Sequence, residues 1–421
     1  PGEGRVHDCL QRNFQHLDNK CFEQEFSAAV RGALSGGMSM RRSIRSSCAN
    51  ELRSQCRQFK ESGKLACLLE LSSVQVSASC KDELREYQEQ AARFGQLDVQ
   101  LQSHCRKEIS ACSQQLSAAH KGPGDISSSK VASASSDNIM QCLLSKRKDM
   151  SPRSGCRDYL FQRQVNAGEN IKLDAALHDA CEDDLQEFCG SADDVANPGI
   201  SHDCLRDHID DLSDECRLFE LERMKLESTD IRLNARLNAK CGTIVEQSCQ
   251  SLSPKDRVHC LEQLREDPEF PRDCLEALTK VEIRSAADNQ LELFLHEECA
   301  ADVKKLCKKE ENVDEAKEQF GQRSNEVLSC LVRKVAAIND VACKSRVQQQ
   351  MAERAADIRM DPAAIEACLE DMKALCPGID PSHGHMHMCL RQQFESLSES
   401  CKNSEFQEVR IEMRAEFMVN P

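Results

Sequence analysis

The apolar positions of this chain return again and again to one short-helix register. A leucine follows a cysteine at Leu10, Leu68, Leu143, Leu205, Leu261, Leu331 and Leu390. In several copies further apolar residues stand four and seven places on, as in Leu10/Phe14/Leu17, Leu205/Ile209/Leu212, Leu331/Val335/Ile338 and Leu390/Phe394/Leu397. The i, i+4, i+7 spacing predicts a helix with one buried stripe. Asp18, Ser213, Asn339 and Ser398 then follow as N-caps of a further helix, which runs for example from Cys216 to Glu227 before Ser228-Thr229 breaks it.

Another register precedes this one. Six cysteines have an apolar residue four places on, at Leu52, Ile109, Leu185, Val245, Val303 and Met372. Cys181, Leu185 and Cys189 therefore share a stripe on one helix. Asp174, Asn234 and Asp361 lie seven residues before the cysteines of their copies, where an N-cap satisfies the first free amides.

These registers belong to a repeat with four cysteines. The first pair is Cys48/Cys56, Cys105/Cys112, Cys181/Cys189, Cys241/Cys249, Cys299/Cys307 and Cys368/Cys376, with seven residues between, or six once. The second pair is Cys67/Cys80, Cys142/Cys156, Cys204/Cys216, Cys260/Cys274, Cys330/Cys343 and Cys389/Cys401, with 11 to 13 between. From a fourth cysteine to the next first one there are 24 residues in five of six cases. Cys9 and Cys21 fit the third and fourth positions of a truncated copy. The step between the second and third cysteines varies from 10 to 29 residues and reads as an external loop. In one copy it carries a Ser/Gly-rich insertion, 121–136, that reads as flexible. The boundaries follow: a truncated repeat at 1–39, then repeats at 40–96, 97–172, 173–232, 233–290, 291–359 and 360–421.

Composition decides the compartment. Twenty-six cysteines in 421 residues, with no CxxC, exclude a zinc ribbon or a thioredoxin-type dithiol and point to disulfides in an oxidising lumen or outside the cell. Low Gly and Pro, 4% aromatic residues and no Trp argue against an all-β secreted fold. With 30% charged residues and a mean hydropathy of −0.56, no single large core can form. The expectation is an all-α tandem array of short helices, three per repeat, stapled by disulfides and elongated into a rod or superhelix. No 18-residue apolar run and no signal peptide occur, so the sequence reads as a piece of a longer ectodomain.

Four cysteines allow three pairings per repeat. The nested one, first to fourth and second to third, is favoured because it staples a hairpin and closes the variable loop at its base. Bonds between adjacent repeats give the same spacings, and Cys9 and Cys21 are free to bond each other.

The four-cysteine helical repeat, its Cys-Leu third position, and the lead-in segments Asp230-Ile231-Arg232-Leu233-Asn234 and Asp357-Ile358-Arg359-Met360-Asp361 resemble the cysteine-rich fibroblast growth factor receptor family. The resemblance covers essentially the whole chain. It implies a type I membrane glycoprotein of the Golgi with a lumenal array of such repeats, binding fibroblast growth factors and, when glycosylated, E-selectin. The chain would then be an internal piece that stops before the membrane segment. No N-x-S/T sequon occurs in it, so selectin-binding glycans would sit elsewhere.

Candidate chemistry is sparse. No cysteine is left over as a nucleophile, and there is no phosphate loop, G-x-S-x-G or H-E-x-x-H. The expectation is no enzyme, no cofactor and no nucleic-acid partner. His383, His385 and His387 alternate with glycine and methionine before Cys389; in an extended loop they would point the same way as soft or borderline metal ligands, although a solvated polar loop explains them as well. Saposin-like lipid binding needs more apolar surface than this chain has. The repeat at 173–232 is strongly acidic: twelve Asp and six Glu against five Lys and Arg give −13, while residues 1–96 come to +2. Asp203, Asp207, Asp210, Asp211, Asp214 and Glu215 flank its second pair, and Glu182, Asp183 and Asp184 follow Cys181. Such a field suits capture of a basic growth factor. An architectural spacer with no ligand is the alternative.

Overall fold

The structure is a computed structural model that describes residues 5–35, 42–71, 75–119, 128–265, 267–288, 291, 295, 297–318 and 325–405. Helices and short helical turns supply the regular structure, with no strand among the described residues. The chain divides into two compact units, Pro1–His208 and Ile209–Pro421.

The last repeat shows how the sequence builds one copy. The Asp357 carboxylate accepts from the Arg359 amide at 3.0 Å and starts the 3-10 turn Ile358–Met360. Asp361 then accepts from the amides of Ala363 and Ala364, and Pro362 opens the helix Pro362–Leu375. Gly384, at φ 70, leads into His385–Gln392, and a 3-10 turn, Phe394–Ser396, follows. The Ser398 hydroxyl accepts from the Cys401 amide at 3.3 Å. Asp174, Asn234, Ser213 and Asp18 make the caps expected of them. At the remaining position the cap is Asp340, one residue beyond Asn339.

Two details differ from the periodic reading. The expected first helix is broken at its first cysteine in four copies: Cys48, Cys105, Cys181 and Cys299 have ψ between −5 and 19. At Cys105 the kink keeps its hydrogen bonds, from Cys105 N to Leu101 O and from Ile109 N to Cys105 O. The stripe after the third cysteine is also not one helix. Glu326–Arg333 ends before Val335, which sits in the 3-10 turn Val335–Ala337 and is buried with Ile338. A 3-10 turn advances three residues per turn and so keeps i+4 and i+7 facing inward while the chain reverses.

The loop insertion is also shorter than expected. Its serines from Ser128 onward belong to the helix Ser128–Lys146, and 120–127 lie outside the described residues. Ser136, buried, accepts from the Gly95 amide at 3.1 Å and donates to Gln96 Oε1 at 2.9 Å, which ties this helix to the preceding repeat.

The disulfides are nested. First joins fourth in Cys48–Cys80, Cys105–Cys156, Cys241–Cys274, Cys299–Cys343 and Cys368–Cys401. Second joins third in Cys56–Cys67, Cys112–Cys142, Cys189–Cys204, Cys249–Cys260, Cys307–Cys330 and Cys376–Cys389. Cys181 and Cys216 are disulfide-bonded as well. Cys9 and Cys21, expected to be bonded, are free thiols. In the nested scheme a third cysteine needs a second and a fourth needs a first, and neither precedes Cys9 in this sequence.

Small cores form around these staples. One gathers Cys299, Cys307, Cys330 and Cys343 with Leu328, Leu331, Val335 and Val347. Another gathers Cys368, Cys376 and Cys401 with Ile358, Met386 and Leu390. In the first unit Phe14, Phe22, Phe26 and Phe94 pack with ring centroids 4.9–5.9 Å apart, joining the truncated repeat to the next.

Candidate functional site

The acidic repeat contributes to both units. In the first, Gly199 at φ 76 starts the helix Ile200–Asp207. Asp203 is 7% exposed on that helix, while Asp207 is exposed at its end. Burial removes Asp203 from any docking surface. Glu182 and Asp183 are exposed in the first turn of Glu182–Phe188, but Asp184 is buried.

Asp184 holds a position with a scaffold role in other repeats, three residues after the first cysteine. There Glu51 accepts from the Ser77 amide, Asp302 from the amides of Asn339 and Asp340, and Asp371 from the Ser398 amide and hydroxyl. Each carboxylate holds the turn before the fourth-cysteine helix. This recurring acid is visible in the sequence as Glu51, Glu108, Asp184, Asp302 and Asp371, yet a carboxylate reads as surface until its donors are counted.

A cleft of about 380 Å³ lies in the first unit. Glu89, Glu182, Asp193 and Asp194 line it, together with Lys172 and His178. Asp194 is committed to the amides of Ile171 and Ser201, at 3.1 and 2.9 Å. The remaining carboxylates give the cleft an anionic wall.

In the second unit, Asp210, Asp211, Asp214 and Glu215 are all exposed around the start of the helix Asp214–Glu227, which Ser213 caps. Carboxylates in a first helical turn are favoured by the partial positive charge of the helix N-terminus, so folding sustains this crowding. Arg217 pairs with Asp214 and donates to Leu212 O at 3.2 Å.

The three loop histidines are not brought together. His385 and His387 lie on a helix, two residues and about 200° apart, not in an extended loop. His383 and His385 are exposed with ring centroids 5.9 Å apart. His387 is buried, with Nδ1 2.8 Å from Glu405 Oε1 and Nε2 3.1 Å from Arg354 O. A shared metal would need all three imidazoles on one side, and helical geometry sends the third inward.

Four segments, 78–151, 154–213, 272–338 and 342–398, match the family model described as "Cysteine rich repeat" (Cys_rich_FGFR), and together they take in more than half of the chain. The chain belongs to the cysteine-rich FGFR repeat family. The match at 154–213 is framed from the fourth cysteine of one nested unit, Cys156, through the third of the next, Cys204. Among the family's curated members, Golgi apparatus protein 1 of Gallus gallus is 25% identical over 398 residues, 88% of this chain and 32% of the relative. The Homo sapiens protein of that name is 25% identical over 400 residues with the same coverage. The Caenorhabditis elegans homolog is 23% identical over 305 residues, 66% of this chain and 26% of its own. The chain thus spans about a third of the length of the vertebrate relatives. No solved structure matches it. Among the described residues no helix is long and apolar enough to cross a membrane.

Proposed function

We propose that this segment is a non-enzymatic capture module of the secretory pathway, in the Golgi lumen or beyond it, that binds basic secreted proteins of the fibroblast growth factor class. The family's name and the disulfide staples support the compartment and the ligand class. The observation that carries the reading is the exposure of Asp210, Asp211, Asp214 and Glu215 within a repeat of net charge −13. Their field steers a cationic partner toward this face, and rim carboxylates act mainly on association rate. The anionic cleft of the first unit offers Glu89 and Glu182 to a lysine or arginine side chain.

Changing Asp210, Asp211, Asp214 and Glu215 together to Asn and Gln should slow association with a basic growth factor several-fold at low salt, as read by stopped-flow. The difference should shrink toward 0.5 M salt, where the screening length falls to about 4 Å. An unchanged on-rate at low salt would favour the architectural spacer instead.

A further inference from the structure

One pair of positions alternates in kind between repeats. His387 stands two residues before the third cysteine, Cys389, and Glu405 four residues after the fourth, Cys401. The same two positions hold His7 and Glu25 around Cys9 and Cys21, and His202 and Glu220 around Cys204 and Cys216. In the other four repeats both are apolar: Leu65/Leu84, Met140/Leu160, Val258/Leu278 and Leu328/Val347. No repeat mixes the two kinds. The pair changes as a unit, as partners in one contact must.

The geometry explains the coupling. Nδ1 of His7 lies 2.8 and 2.9 Å from the two carboxylate oxygens of Glu25, and Nδ1 of His387 lies 2.8 Å from Glu405. The opposite ring nitrogen reaches out of the repeat. Nε2 of His387 faces Arg354 O at 3.1 Å, and Nε2 of His202 faces Ala167 O at 3.0 Å. Arg354 and Ala167 each stand eleven residues after the fourth cysteine of the preceding repeat, Cys343 and Cys156. The imidazole therefore bridges its own repeat to the last helix of the one before.

At His387 both neighbours are acceptors. A carbonyl oxygen can only accept, and the Glu405 carboxylate already accepts from Arg391 Nε at 3.0 Å. Neutral imidazole has one N–H and so can serve only one of them, whereas imidazolium serves both. The ring and Glu405 are each 1% exposed, so water cannot replace a lost partner.

We propose that His387 and Glu405 form a proton-dependent clasp between the repeats at 291–359 and 360–421. The clasp is shut while the imidazole carries two protons. When one leaves, a ring lone pair faces an oxygen lone pair, and the junction loosens. Arg391, on the same helix, pairs with Glu405, and the elements that the clasp joins also carry Arg354 and Glu353 on Val341–Ala356 and the Asp357–Arg359 pair in the turn that follows. Two backbone bonds cross the same junction, Gly384 N to Ala356 O at 2.6 Å and Ile358 N to Pro381 O at 3.4 Å.

The chain supplies its own control, because the apolar version of the site exists in four repeats. Hydrogen exchange at the Gly384 and Ile358 amides, corrected for intrinsic rate, should show at least tenfold less protection at pH 8.5 than at pH 6 in the full chain. In a Glu282→Gln chain, which removes the pH-dependent stability that Glu282 contributes to the same unit, the dependence should remain, and adding the double variant His387→Leu/Glu405→Leu should abolish it. Equal protection at both pH values in the unaltered chain, or a dependence that survives in the double variant, would overturn the proposal. Should that variant fail to fold, the imidazole nitrogen shifts of His387 in the ¹⁵N-histidine-labelled chain decide alone. An imidazolium pattern at pH 6 supports the clasp, and a neutral-tautomer pattern refutes it.

Discussion

Two buried ionic clusters, one in each unit, solve the same packing problem in opposite ways. In the first, the buried Asp98 accepts from Tyr159 Oη at 2.7 Å, from Arg163 Nη1 at 2.5 Å and from the Leu101 amide at 2.9 Å. Arg163 also donates to Ala92 O, in the preceding repeat, at 3.1 Å. One carboxylate meets one guanidinium. Burial and the Asp98 charge both push the Tyr159 phenol up, so it stays a donor. In the second unit three carboxylates, Glu262, Glu282 and Glu353, share Arg265 and Arg346. Arg265 reaches Glu282 at 2.7 Å, and Arg346 lies 2.7 Å from His259 Nδ1 and 3.5 Å from Glu262. Burial, with Glu262 and Glu353 adding to it against Arg265, pushes Glu282 up to about 8. A matched cluster needs its charges at every pH; an over-acidic one keeps a proton instead.

The contrast is sharpest if each arginine is removed. Arg163→Met strands the buried Asp98, and breaking a buried pair this way costs about 3 kcal/mol at neutral pH. Hydrogen exchange of the helix Gly155–Glu169 should show the loss. Arg265→Met should cost only about 1 kcal/mol at pH 6, where Glu282 is protonated, and more as the pH rises. Equal losses at pH 6 would break the comparison.

A weaker effect is expected at Glu282 itself. Its folded form holds a proton that the unfolded chain releases above about pH 4.5, so its contribution to stability is full below that point and falls as the pH climbs toward 8. Glu282→Gln, which mimics the protonated acid, should therefore be about 2 kcal/mol more stable than the parent at pH 8.5 and nearly equal at pH 4.5. Urea titrations followed by exchange in Arg272–Ala286 test this, and a variant that is less stable at pH 8.5 contradicts it.

The smallest effect belongs to an exposed pair. Arg93 pairs with Asp179 two repeats further on. Burial opposes ionisation of Asp179, but hydrogen bonds from His178 and Arg93 outweigh it and hold the carboxyl at about 2. This stabilisation is present above about pH 4 and fades as the pH falls through 2. Asp179 is 47% exposed, so screening limits Asp179→Asn to about 0.5 kcal/mol at neutral pH. A loss above 2 kcal/mol would show the pair to be sheltered from solvent.

The clusters themselves were hard to read from sequence, whereas the frame around them was not. Caps such as Asp174 and Asp361 declare themselves because their partners lie two or three residues away. The cysteine periods expose the repeat, and the hairpin argument favours the nested pairing without excluding others. Asp98 stands seven residues before Cys105, the same cap position, but its Tyr159 and Arg163 lie some sixty residues on and follow no period. The His387–Glu405 pair was missed for another reason. Each position varies between repeats, and only reading the two together shows that they change in step. His387 also shows how a two-residue alternation misleads once the segment proves helical.

The nested staples also fix how the array responds to tension. In five repeats the outer bond holds its two Cα atoms 4.6–4.9 Å apart, although they stand 32 to 51 positions apart in sequence. A pull on the chain ends passes across that bond and leaves the enclosed loop slack, whatever its length. Between stapled repeats only the links from a fourth cysteine to the next first one can extend, and 24 residues amount to roughly 85 Å when drawn straight. Long and short repeats therefore have the same maximum extension, and a domain carried in one of the loops would never feel the load.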